Sequence, residues 1–135
     1  MMNIIIAKDA GYCFGVRDAV NLAFETTEKF GDVYMLGDIV HNEKVVNDLS
    51  KTGVKVVDSL SDIPNKSPVL FRAHGTTTPV WDKAKKKNMN IVDATCPLVY
   101  EIHDQVKKLE SENRKIIVIG DHGHDEVIAI ASQVS

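Results

Sequence analysis

The chain has 135 residues, 44% of them hydrophobic, with 16 basic and 19 acidic side chains and a net charge of −3. This composition provides for a packed core and excludes wholesale disorder; the length fits one domain or two small lobes. The charge balance offers no overall basic field for nucleic acid or a membrane surface, so an anionic ligand requires a local cationic pocket.

The longest apolar runs, such as 116–119, are far too short to span a bilayer. The opening MMNIIIAKDA lacks the charged head and long apolar stretch of a signal peptide, and the expected location is the cytoplasm. Its three isoleucines and alanine predict a buried strand over 3–7. A helix follows over 15–30, with Val16, Ala19, Val20, Ala23, Phe24 and Thr27 on one face, closed by Gly31-Asp32. A second strand is predicted over 33–36, then a helix over 42–51 with Val45, Val46 and Leu49 inward. Gly53 ends it before a strand over 54–57. Residues 58–67, with Ser, Asp, Pro and Asn, form a loop or single turn. Next come a strand over 69–73, a helix over 79–87 with a solvated Lys85-Lys86-Lys87 end, and a strand over 91–94. The longest helix covers 97–113, with Leu98, Ile102, Val106 and Leu109 at helical spacing. A strand over 115–119 and a helix over 125–134 complete the pattern. The βα alternation predicts an α/β fold with a mostly parallel sheet. A boundary near Cys96-Pro97 separates a first α/β lobe, 1–96, from the start of a second, incomplete one, 97–135.

The chemistry-bearing residues share one position in this pattern. There are two cysteines and five histidines. Cys13, His41, His74, Cys96 and His124 all fall at the predicted C-terminal ends of strands, next to helix starts. In open α/β sheets ligands bind along that edge. Helix N-termini there present free N–H groups and partial positive charge, which favour anions and lower a thiol's pKa. Each residue also has a plain structural explanation. Cys13, between Gly11 and Gly15, suits a sharp turn with a buried thiol, and Cys96 before Pro97 suits a packed helix start. His41 and His124 suit capping regions. His74, with Gly75 and three threonines, has a composition fit for phosphate, although such turns also serve as caps. His103 is expected at a surface boundary, and His122 has no assigned role. Two cysteines cannot complete a four-thiolate metal site. A mixed Cys/His zinc site is chemically possible, as is a binding module that uses the histidines and no metal. Spacing alone does not choose between zinc and a cluster, since neither CxxC nor HxxxH is present.

Five motifs occur in order: Ala10-Gly11-Tyr12-Cys13-Phe14-Gly15-Val16-Arg17; Val40-His41-Asn42 with Val45-Val46; Arg72-Ala73-His74-Gly75; Asp93-Ala94-Thr95-Cys96-Pro97-Leu98-Val99; and His124-Asp125-Glu126-Val127. Together they resemble the LytB/IspH family, the 4-hydroxy-3-methylbut-2-enyl diphosphate reductases, from Ile4 to about Ile130. The resemblance implies three α/β lobes around a [4Fe–4S] cluster, with Cys13 and Cys96 as two of its three thiolate ligands. It implies that His41, His74 and His124 hold the substrate's diphosphate and that Glu126 delivers protons to the leaving hydroxyl. The family's reaction converts the allylic diphosphate to isopentenyl and dimethylallyl diphosphate in non-mevalonate isoprenoid synthesis. It uses two external electrons, usually from ferredoxin or flavodoxin. The chain departs from the family pattern at Asp125, where proline is usual, at Thr76 in place of valine, and at Ala129 in place of glycine. The family's third cysteine and its later Ser/Asn ligands fall beyond Ser135. These 135 residues alone are therefore expected not to form a competent reductase.

Overall fold

A computed structural model describes residues 2–8 and 10–135. The elements are α1 (Phe14–Phe30), β1 (Val33–Leu36), α2 (Glu43–Ser50), β2 (Val54–Val57), a 3-10 turn (Leu60–Asp62), β3 (Pro68–Phe71), α3 (Thr78–Lys86), β4 (Asn90–Asp93), α4 (Pro97–Ser111) and α5 (Asp125–Ala131). The four strands form one parallel sheet in the order β2-β1-β3-β4, as the βα alternation predicts.

Strand alternation sorts the core into two layers. Val33, Met35 and Leu70 pack with Ala19 and Ala23 of α1 and Val45 and Leu49 of α2. Leu36, Val69 and Phe71 face the other way, toward Leu60, Ile63, Ala84 and Met89. Phe71 meets Trp81 of α3 edge-on, with ring centroids 4.9 Å apart. Helices thus cover both faces of the central strands β1 and β3, which are accordingly almost wholly apolar, while the edge strands β2 and β4 carry Lys55, Asn90 and Asp93. Gly31, at φ 74°, turns the chain out of α1 while its N–H donates to the Thr27 carbonyl.

Strand order determines where a ligand can enter. From β1 the chain moves outward to β2, then returns across β1 to lay down β3 and β4. The direction reverses between β1 and β3, so the crevice at the carboxyl ends of these two strands is the fold's natural binding position.

Several expectations fail, each for a physical reason. The runs 3–7 and 115–119 are not strands. Ile5 is 91% and Ile119 93% exposed, and neither run has a strand partner among the described residues. A strand exists only as part of a ladder. The inward face of α4 is Val99, His103 and Val106, which shares only Val106 with the expected stripe, and Leu98 is half exposed. The end of α3 is not simply solvated: the Lys87 ammonium donates to the Leu60 and Ile63 carbonyls and closes the 3-10 turn. α5 ends at Ala131 rather than 134, where Ser132 turns its hydroxyl back to the Ala129 carbonyl. Among the described residues no helix is long and apolar enough to cross a membrane.

Candidate functional site

His41 and His74 lie on either side of the crevice between β1 and β3. Beyond Leu36 the chain turns at Gly37 and runs to His41, just before the Asn42 cap of α2, where Asn42 Oδ1 accepts from the Val45 N–H at 3.2 Å. Beyond Phe71 the Ala73 N–H donates to the Ile39 carbonyl at 3.2 Å, extending the β1–β3 ladder past the strands. That bond sets the two histidine turns side by side. Their rings stack with centroids 4.3 Å apart. His124 completes the group from the start of α5, at 5.7 Å from His41 and 6.1 Å from His74. Its Nδ1 accepts from the Glu126 N–H at 3.3 Å, so the ring is itself the helix cap, and this fixes its orientation.

Charges of both signs surround the cluster. Burial, and then the charges of His41 and Arg72, hold the His74 imidazole below its ordinary pKa, against the opposing pull of Asp125 and Glu126. The ring is therefore neutral near pH 7, and its Nδ1 is buried with no hydrogen-bond partner among the described residues. A bound anion would favour the protonated, donating form of His74. Arg72 is committed elsewhere: its Nη1 donates to Asp125 Oδ2 at 2.6 Å in a half-buried ion pair. A Cβ at Gly37 would come within 2.8 Å of that guanidinium, so the glycine there makes room for Arg72.

Both cysteines are free and begin helices: Cys13 at the N-cap of α1 and Cys96 at the N-cap of α4. Neither thiol caps its helix, so both sulfurs remain available. They sit close in the fold, because Cys96 Sγ lies over Gly15, two residues from Cys13, and any side chain at Gly15 would collide with it. Two hydrogen bonds tie the cysteine turns to the histidine turns. The Cys96 N–H donates to the Ala73 carbonyl at 3.0 Å, next to His74. Asn42 Nδ2 donates to the Tyr12 hydroxyl at 3.2 Å, joining the Cys13 turn to the His41 turn. Asp93 braces the turn into Cys96, accepting from the Thr95 N–H and hydroxyl and from the Tyr100 hydroxyl. Burial and then this bond push the Tyr100 phenol up to about 12.

Glu126 stands half-buried in the first turn of α5, close enough to lift the proton affinity of both His74 and His103. The threonines after His74 do not join the cluster. Thr76 is buried, and the Thr78 hydroxyl donates to the Ser132 carbonyl. His103, expected at a surface boundary, is buried instead. It is 4% exposed, its pKa is lowered chiefly by burial, and its Nε2 lacks a partner. It packs against Gly75, directly after His74. The i, i+4, i+7 spacing of Val99, His103 and Val106 was the available signal. Arg72 and Asp125, 53 residues apart, gave none.

The family model described as LytB protein matches residues 4–135. The chain belongs to the LytB family. It is 42% identical over 131 residues to the 4-hydroxy-3-methylbut-2-enyl diphosphate reductase of Geobacter metallireducens, covering 97% of this chain and 46% of that one. The Clostridioides difficile enzyme of the same name is 42% identical over 130 residues, covering 96% and 47%. Among solved structures, the E-1-hydroxy-2-methyl-but-2-enyl-4-diphosphate reductase from Plasmodium falciparum superposes with a TM-score of 0.90 at 35% identity, over 93% of this chain and 40% of that one. A structure of (E)-4-hydroxy-3-methyl-but-2-enyl diphosphate reductase, the terminal enzyme of the non-mevalonate pathway, gives 0.83 at 36% identity, over 98% and 47%. The chain therefore spans about half the length of its LytB-family relatives.

Proposed function

We propose that this chain supplies the diphosphate clamp and two cluster ligands of a 4-hydroxy-3-methylbut-2-enyl diphosphate reductase. Residues 1–96 would form its first lobe and 97–135 the beginning of a second. The observation that carries this reading is the convergence of His41, His74 and His124 at the switch point of a parallel sheet, with centroids 4.3–6.1 Å apart, on the edge that also bears both thiols.

In this reading the three imidazoles bind and orient the diphosphate by donating ring N–H groups to it. Glu126, whose helix is capped by His124, would deliver the proton to the departing hydroxyl, because hydroxide leaves poorly unless protonated. Cys13 and Cys96 fit two corners of a [4Fe–4S] cluster: both are free thiols at helix N-termini, where a thiolate is stabilised, and Gly15 clears the space beside Cys96. When bound, such a cluster supplies single electrons and a Lewis-acidic iron, which no side chain provides. The electrons would come from a carrier such as ferredoxin or flavodoxin, and the products would be isopentenyl and dimethylallyl diphosphate.

The clamp can be tested without a cluster by calorimetric titration of inorganic pyrophosphate in EDTA. His74→Ala should weaken binding by about 1–3 kcal/mol, the value of a charge-assisted hydrogen bond. Unchanged affinity would remove His74 from the site.

A further inference from the structure

Arg72 stands where three turns meet. It follows Phe71, the last residue of β3, and lies two residues before His74. Its guanidinium lies against Gly37, which follows the last residue of β1 on the way to His41. The same Nη1 donates to Asp125 Oδ2 at 2.6 Å, at the start of α5 between His124 and Glu126. One side chain thus joins the exits of β1 and β3 to the entry of α5, the three places that carry His41, His74 and His124. The helix needs such an anchor. It is reached through residues 112–123, which form neither strand nor helix and are exposed except for Ile116 and Val118, so that approach does not fix its position. Thr78 holds the far end: its N–H donates to Ser132 Oγ at 3.4 Å and its hydroxyl to the Ser132 carbonyl at 3.3 Å. At the near end, beside His124 and Glu126, the Arg72–Asp125 pair is the only hydrogen bond or ion pair to residues 1–96 among the described residues. It is also the least exposed ion pair among them, its side chains 25% and 28% exposed. A charge-assisted bond shielded from water holds its geometry better than a surface pair does. The pair is neutral as a whole, so the Asp125 carboxylate stands beside an anion site without adding a net negative charge.

We infer that the Arg72–Asp125 pair is a clasp that positions His124 and Glu126 against His41 and His74, which makes both of its members positioning residues of the site. The role rests on the diphosphate-clamp reading, but the placement of the rings is measurable without any ligand.

The test is the double variant Arg72→Gln/Asp125→Ala of the full chain, which removes both charges at once and strands neither. In the wild type, nuclear Overhauser contacts between ring protons should join His41 to His74 and His41 to His124. In the double variant the first should persist and the second be lost, a pattern that a general loss of stability does not produce. Gly37→Ala, which displaces the guanidinium and leaves both partners in place, should lose the same contact, and it supplies the readout if the double variant loses its circular dichroism. Pyrophosphate affinity in EDTA should fall about 10-fold in the double variant, the equivalent of one charge-assisted bond, with no net change of charge to account for it. In a His124→Ala background, removing the pair should change affinity by less than about 2-fold, because the pair acts through that ring. A persistent contact between His41 and His124 in the double variant would overturn the clasp. Full affinity in the double variant, where His124→Ala alone weakens binding, would overturn it equally. Full affinity in His124→Ala itself would count against the clamp instead, and the ring contacts would still decide the clasp.

Discussion

Gly75→Ala tests how the turn after His74 is held. Gly75 has φ 86°, which costs an L-residue about 1–2 kcal/mol. Its missing Cβ is also enclosed: an added carbon would meet His103 Cε1 at 3.1 Å, Val99 Cγ1 at 3.2 Å and Ala129 Cβ at 3.5 Å. These neighbours belong to α4 and α5, so relief requires moving a helix or turning a buried ring. Overpacking of this kind costs about 1–3 kcal/mol. A total loss of about 2–5 kcal/mol is expected, a large share of a small domain's roughly 5–15 kcal/mol. In urea, with a slope of about 1–3 kcal/mol per molar, the midpoint should fall by about 1 M or more. Val99→Ala should open space for the new methyl, so the same substitution in that background should cost at least about 0.5 kcal/mol less. A destabilisation under about 0.5 kcal/mol in the wild-type background would refute both the backbone geometry and the packing of His103 against this turn.

Two further outcomes follow. His74 and His103 are both held below the ordinary histidine pKa, chiefly by burial. The unfolded chain therefore binds more protons as pH falls, and folding stability should be lost progressively below about pH 6.5. The urea midpoint should be lower at about pH 5.5 than at about pH 7.5, and His103→Leu should flatten that slope; an identical slope in the variant would deny His103 its buried neutral state. Anaerobic reconstitution with iron and sulfide should give a brown protein whose colour is lost in both Cys13→Ser and Cys96→Ser, whereas colour retained in either variant would remove that thiol from the ligand set.

Much of the fold was legible in the sequence because helices declare themselves by period and caps. The Gly31 exit from α1 and the Asn42 cap of α2 stand in the sequence as they do in the structure. The strands that failed, 3–7 and 115–119, have the same apolar composition as those that formed. What differs is whether a neighbour completes their ladder, and local sequence holds no information about that. The face of α4 was misjudged because Leu98 and Ile102 are more apolar than His103, yet the histidine is the residue turned inward. The pairing of His41 with His74 could be anticipated from position, since each follows a strand of the parallel sheet and precedes a helix; His124 joins them from the start of α5, although the strand expected before it did not form. The Arg72–Asp125 pair could not, because it depends on the placement of α5 beside β3.

The most direct measurement is long-range ¹H–¹⁵N correlation of the imidazole side chains during titration with pyrophosphate in EDTA. Signals of His41, His74 and His124 should move together along one binding curve, while those of His122, outside the cluster, stay still. Movement of a single imidazole, or of none, would contradict the existence of a shared diphosphate clamp.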